Sequence, residues 1–259
     1  MLYLITRRIA AFLVTLFLIS IVAFIIIQLP PGDFVDAYAG KKGQSGVVIT
    51  KDELDVMRVR LGLDKPFYYQ YLKWIGGVIR GNLGFSWEYH RPVKDVLGER
   101  LPLTLILVFA TLAFTYMVAI PIGIYSAVRQ YSIGDNIATL LGYIGLAIPG
   151  FLFALILMYL GQKWFGMSVG GLFSPEFEDA AWSWAKFADM LSHLWVPVIV
   201  LGMAGTALQL RTIRATLLDE LNKMYVTAAR AGGVPEFKLL MKYPVRVALN
   251  PIVATLGWE

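Results

Sequence analysis

The apolar positions of this chain fall into long blocks, unlike the alternating or helical stripes of a soluble domain. A helix needs about 20 largely apolar residues to cross about 30 Å of hydrocarbon. The first block, residues 9–29, meets that length with only Thr15, Ser20 and Gln28 as polar interruptions. Arg7 and Arg8 precede it and Pro30-Pro31-Gly32 ends it. The run is longer than a signal-peptide core and no small-x-small cleavage site follows, so it reads as a retained membrane helix. Three more spans are predicted. Residues 103–128 open after Pro102, whose missing N–H suits a first helical turn. Residues 137–160 follow Asp135-Asn136, a capping pair. Residues 194–210 begin near Ser192, with Pro197 early in the helix. A fifth apolar stretch starts around Val247 and breaks off at Glu259, so the chain is expected to be C-terminally truncated, with that span incomplete.

Between the first two spans, residues 30–101 carry a different pattern. Thr50 and Glu53 form a capping box, since the hydroxyl can bond the third amide while the carboxylate reaches back. Leu54, Met57 and Leu61 recur at helical spacing, and Gly62 is a suitable stop. Pro66 opens a second helix whose Phe67, Tyr71, Trp74 and Val78 share one face. The segment is expected to be a small helical cap on the outer membrane face. The predicted organisation is residues 1–29 as cytoplasmic end and first span, 30–101 as the extracytoplasmic segment, and 102–259 as the membrane core. A cytoplasmic loop covers 211–246 within that core.

Composition supports this reading. Hydrophobic residues make up 58% of the 259, charged residues 16%, and the mean hydropathy is +0.64. Soluble domains carry about 25% charged residues, so the missing polar surface faces lipid. The net charge of +5 matters less for its size than for its placement, and no nucleic-acid partner is inferred from it. Arg7 and Arg8 put the N-terminus in the cytoplasm. The 211–246 loop is rich in Arg and Lys, including Arg211, Arg214, Lys223, Arg230 and Lys238. The second outer loop carries Glu176, Glu178, Asp179 and Asp189 against Lys163 and Lys186. This topology agrees with the positive-inside bias.

Several chemistries find no residues to carry them. There is no cysteine and no Gly-x-x-x-x-Gly-Lys-[Ser/Thr] phosphate loop. His90 and His193 are isolated and read as surface or interfacial groups. The predicted spans hold no carboxylate that could carry a coupling ion, and Gln28 and Gln209 are their best polar candidates. No catalytic residue, metal ligand or cofactor is expected within this chain, which weighs against a self-powered transporter: a transporter of this make would draw its energy from a partner.

The most informative stretch runs from Tyr225 to Phe237. It reads as a short helix ending at Gly232-Gly233, then a second helix started by Pro235 and ended before Pro244. Ala228, Ala229 and Ala231 are small enough for another surface to approach closely, and Gly233 can take a positive φ and turn the chain. Such a projection can transmit force from a soluble motor. The residues alone leave an ordinary connector between spans equally open.

Here the chain resembles the permease subunits of bacterial and archaeal ATP-binding-cassette importers, specifically the first-subunit type of the dipeptide/oligopeptide/nickel branch. The branch pattern Tyr-Val-x-x-Ala-Arg-Ala-x-Gly, then Arg-x-Ala-Leu-x-Pro, matches Tyr225, Val226, Ala229, Arg230, Ala231 and Gly233, then Arg246, Ala248, Leu249 and Pro251. Leu61-Gly62-Leu63-Asp64-Lys65-Pro66, Gly81-Asn82-Leu83-Gly84, and Arg100-Leu101-Pro102 followed by Thr104-Leu105 match the same branch. Thr227 stands where the wider family has Glu, so that position's ion pair does not carry over, and Gly232 occupies a position that is often Lys.

The resemblance implies an all-α polytopic bundle with an extracytoplasmic helical cap. It implies a multi-pass subunit of the cell membrane that forms a pathway for peptides or related small solutes. Its partners would be a second permease, ATPase subunits that hydrolyse the ATP, and an extracytoplasmic solute-binding protein. The coupling loop would be Tyr225, Ala228, Ala229, Arg230, Ala231, Gly233, Pro235 and Glu236. The alternatives are a self-contained channel or secondary transporter, which needs a polar pathway, and a membrane assembly protein, which would tolerate changes at Ala229 and Gly233.

Overall fold

The computed structural model describes residues 2–29, 32–44, 49–166, 170–178 and 180–256. Pro30, Pro31, Asp179 and Glu259, which entered the reading above, lie outside them. The chain divides into two compact units, Met1–Gly98 and Glu99–Glu259. The described residues are almost wholly helical, as an all-α polytopic membrane protein requires, because a helix satisfies its own backbone groups in lipid.

In the first unit, α1 (Leu2–Gln28) is apolar from Ile9 onward and almost entirely unburied. Its polar interruptions are absorbed locally: Thr15 Oγ1 donates to Ala11 O at 2.9 Å and Ser20 Oγ to Phe17 O at 2.7 Å. Then come α2 (Phe34–Gln44), α3 (Lys51–Leu61) and α4 (Phe67–Ile79). The capping box at Thr50 and Glu53 forms as expected, and Gly62 ends α3 at φ +78. Arg58 on α3 pairs with Asp33 and Asp36 at the start of α2 and with Asp55 on its own helix. The predicted face of α4 does its packing against α1. Phe24 meets Phe67, Tyr71 and Trp74 at ring centroids of 5.0, 5.4 and 5.9 Å. The Tyr71 hydroxyl lies 2.8 Å from Ser20 Oγ, and Gln28 Nε2 donates to Gln70 at 3.3 Å. This helix therefore lies along the second half of the first apolar helix, where a cap resting on the outer face had been expected. A two-stranded antiparallel hairpin, β1 (Phe85–Ser86) and β2 (Arg91–Pro92), follows, with Phe85 opposite Pro92.

The second unit is built around α8 (Trp184–Leu221), which contacts α6 (Ile133–Ala147), α7 (Gly150–Phe165) and α11 (Pro244–Ala248). Helix α5 (Val93–Val128) starts ten residues before Leu103, so Pro102 lies inside it and not in its first turn. The α5 stripe Thr115, Ala119, Gly123, Ser126 and Ala127 is buried. A Cβ on Gly202 of α8 would stand 2.7 Å from Phe114, so only glycine allows this approach. Ala119, Leu210, Ile213 and Ile252 form one core cluster.

Three boundaries differ from those expected. The 137–160 span is broken into α6 and α7, bent by 107°. Pro149 brings no N–H, and Ile148 before it is held extended at ψ 124, as residues preceding proline are. Ser132, not Asp135-Asn136, caps α6, its hydroxyl accepting from Asp135 N at 3.2 Å. Helix α8 begins at Ser183's cap and runs eleven residues past Leu210, because Leu210, Ile213 and Leu217 continue its buried stripe. Pro121 and Pro197 sit within unbroken helices. Among the described residues three helices are long and apolar enough to cross a membrane, or four spans if the bent pair counts as one.

Candidate functional site

Beyond α8 the chain forms α9 (Met224–Ala231), a turn, α10 (Glu236–Lys242), α11, and α12 (Asn250–Thr255). Asn222 caps α8, so the loop expected from residue 211 begins as a true loop only there. The turn is built as the sequence indicated. Gly232 N donates to Ala228 O at 2.9 Å, Gly233 N to Arg230 O at 3.1 Å and Val234 N to Ala229 O at 3.3 Å. Gly233 takes φ +76 while Gly232 stays at −74, so only the former needs to be glycine. Pro235 then caps α10.

One side of this helix–turn–helix is anchored. Val226, Leu239, Pro244 and Val245 are buried. Val245 and Ala248 form a core cluster with Leu217 of α8 and Ala127 at the end of α5. Thr216 Oγ1 donates to Ala248 O at 3.1 Å, joining α8 to α11. The unit is thereby anchored to the ends of two long helices.

The other side is open. Tyr225, Ala228, Arg230, Ala231, Gly233, Pro235 and Glu236 are exposed, and Ala229 is half-buried. Arg230 does not project alone. It donates to Glu236 through Nε at 3.1 Å and Nη2 at 2.6 Å, a two-point clasp across the turn. The clasp holds the Glu236 carboxyl below its ordinary range and raises the guanidinium. Tyr225 OH donates to Glu220 at 2.6 Å. Burial and that carboxylate together push the phenol up to about 12. The reading of the sequence missed Met224 and Phe237, which are 83% and 78% exposed. A signal existed for the second: Phe237 lies two residues from the inward Leu239, on the opposite side of a short helix.

A second polar feature lies in the same unit. Asp135 is buried at the start of α6 and accepts from Arg214 of α8 at two points, Nε to Oδ1 and Nη2 to Oδ2, both 3.0 Å. Tyr131 N also donates to it at 2.8 Å. About three turns of α6 lie between Asp135 and the break at Pro149, and Arg211 stacks over the Tyr143 ring at 5.4 Å. Because α6 starts four residues earlier than expected, a carboxylate does fall within a helix of the bundle. At the far end of α8, His193 is buried, with Nδ1 2.8 Å from Asp189 O, where a surface histidine had been expected. Lys186, also buried, donates to the carbonyls of Ala180 and Glu178 at 2.7 and 3.2 Å. Among the described residues no group of three or more His, Asp or Glu side chains is placed to hold a metal ion.

Residues 119–259 match the family model described as binding-protein-dependent transport system inner membrane component, and residues 1–108 match the N-terminal domain of the same components. The chain belongs to this family. It is thus an inner-membrane, multi-pass permease subunit of an ATP-binding-cassette importer. The oligopeptide transport system permease protein AppB of Bacillus subtilis is 34% identical over 92% of this chain and 72% of its own. The dipeptide transport system permease protein DppB of Escherichia coli is 31% identical, with 100% and 80% covered. The glutathione transport system permease protein GsiC of Escherichia coli is 28% identical, with 100% and 78% covered. The family match over residues 119–259 includes the helix–turn–helix, so that unit sits inside the family's shared part.

Proposed function

We propose that this permease lines the pathway of a short-peptide importer and that the α9–turn–α10 unit is where an ATPase subunit docks. The observation that carries the docking role is a rigid, exposed helix–turn–helix rooted directly in the ends of α5 and α8. Ala228, Ala229 and Ala231 offer a surface that a partner's backbone can approach, and the Arg230–Glu236 clasp and Gly233 keep the turn in one shape. ATP would be bound and hydrolysed by the partner, with this chain holding no cofactor of its own. Arg7, Arg8 and the basic residues after Leu210 favour a cytoplasmic N-terminus and a cytoplasmic α9–α10. A second permease completes the pathway, and an extracytoplasmic solute-binding protein delivers the peptide. The names of the relatives, oligopeptide, dipeptide and glutathione permeases, favour peptides of a few residues.

Reconstitution tests this. With a second permease, the ATPase subunits and the binding protein in proteoliposomes, dipeptide uptake is expected only when ATP is present on the α9–α10 side. Uptake by this chain alone, or without ATP, would establish a channel or secondary transporter instead.

A further inference from the structure

The first unit holds a cavity of about 600 Å³ that the coupling role does not use, walled by Phe34, Tyr38, Phe85 and Trp87. Its size falls within the roughly 300–1,000 Å³ of sites that take small molecules, and beside the four rings its lining carries Lys41, Lys42, Ser86, Glu88 and His90. The rings are mutually arranged. Trp87 stands edge-on to Tyr38 at 5.8 Å and to Phe85 at 5.4 Å, and Phe34 lies 6.0 Å from Tyr38. Phe34 and Phe85 nevertheless keep 41% and 48% of their surfaces open. The frame is stiff on both sides. Arg58 ties the start of α2 to α3, and the hairpin is closed by its ladder and by Val93 N donating to Gly84 O at 3.0 Å.

Charge at the rim is unequal. Lys41 reaches across the mouth to Glu88, so one ammonium and the one carboxylate on the rim neutralise each other. Lys42 has its Nζ 5.8 Å above the Tyr38 ring, and no carboxylate among the described residues pairs with it. An ammonium held at the edge of an aromatic box, with no counter-ion of its own, selects a ligand that joins a ring to an anion.

We propose that this cavity is a binding site for short peptides with an aromatic side chain, the ring entering between Phe34, Tyr38, Phe85 and Trp87 and the C-terminal carboxylate pairing with Lys42. The inference rests on the short-peptide reading above. It adds a site within the first unit, on the segment that the proposed orientation would put on the extracytoplasmic side. A peptide held there is captured on the permease itself, so aromatic peptides would be favoured independently of the binding protein.

The test uses the assembled transporter in nanodiscs, without binding protein, and equilibrium dialysis of radiolabelled Ala-Phe, its C-terminal amide and Ala-Ala. Ala-Phe is expected to bind saturably. Trp87→Ala should weaken that binding about tenfold or more, as loss of a central aromatic anchor does, and Trp87→Phe should recover most of it. Lys42→Gln, at a half-buried position and with intact ATP-driven uptake as the control for folding, and amidation of the peptide should each weaken it about threefold, the scale of one exposed ion pair, and the two effects should not add. Ala-Ala should not compete. Equal binding to wild type and Trp87→Ala, while ATP-driven uptake through the binding protein continues, would overturn this site and leave the importer reading standing. Protection of Trp87 by the binding protein alone, with no effect of peptide, would also overturn it, making the cavity a protein-docking surface. Absence of ATP-driven uptake of any peptide would refute the importer reading and this site with it.

Discussion

The pair between Asp135 and Arg214 joins residues 79 positions apart and fastens the start of α6 to α8. The Asp135 side chain keeps only 2% of its surface, while Arg214 keeps 27%. That asymmetry decides what each substitution does. Arg214→Met removes the cation and leaves a buried carboxylate that still accepts from the Tyr131 amide. Breaking a buried pair from one side costs about 3–5 kcal/mol, and water reaching past the quarter-exposed Arg214 position favours the lower figure. Asp135→Asn retains an acceptor for Tyr131 N, and in the double variant no buried charge is left. Its cost should fall to about 1 kcal/mol, one hydrogen bond's worth. The double-mutant cycle then carries a coupling of about 2 kcal/mol or more. Unfolding in mixed micelles reads this directly. Arg214→Met should shift the equilibrium about a hundredfold, and adding Asp135→Asn should reverse most of that shift. Strict additivity of the two substitutions would refute the reasoning, because it would mean that Asp135 is already hydrated or paired elsewhere.

Three further outcomes are expected. Gly233→Val must hold a β-branched residue at φ +76, where a Cβ meets nothing within 4 Å, so its main cost is conformational, about 1–3 kcal/mol. Uptake should fall while ATPase activity persists, whereas Gly232→Ala, at φ −74, should transport normally. The Arg230–Glu236 clasp should depend on pH with a definite sign. The Glu236 carboxyl is lowered in the folded state, so its contribution is complete above the ordinary carboxylate value and is lost as pH falls through the lowered one. Faster amide exchange across residues 228–236 near about pH 3 than at neutrality, after correction for intrinsic rates, checks this, and Glu236→Gln should abolish the difference. Tyr225 should remain protonated near about pH 11, where an unperturbed tyrosine is mostly ionised. Tyrosinate absorbance there should therefore be unchanged by Tyr225→Phe.

What could be read from the sequence was whatever is encoded within one or two helical turns. The capping box at Thr50, the αL stop at Gly62, the helix started by Pro235 and the turn at Gly233 each need only neighbouring residues. The long apolar blocks are equally local, because lipid imposes one requirement on each helix separately. Helix limits were harder. Residues 211–221 carry enough charge to read as a loop, yet Ile213 and Leu217 continue the inward stripe of α8, and stripe outweighs composition once a neighbour covers it. Pro149 illustrates the reverse: a break inside an apolar block, invisible to hydropathy and governed by one missing N–H. The Asp135–Arg214 pair was out of reach, since neither residue has a local feature that names its partner. The aromatic cavity was out of reach for the same reason, as α2 and the hairpin meet only in the fold.

The docking of α9–turn–α10 on an ATPase is the claim on which the functional account turns, and the absence of cysteine from the chain makes it directly measurable. A single cysteine at exposed Ala228, labelled through its thiol with a short photo-activated cross-linker in the assembled transporter, should cross-link to a phosphate-loop ATPase subunit, with a yield that changes when ATP is added. No cross-link to an ATPase from Ala228→Cys, in a transporter that still takes up peptide on ATP, would contradict the account and place the coupling surface elsewhere.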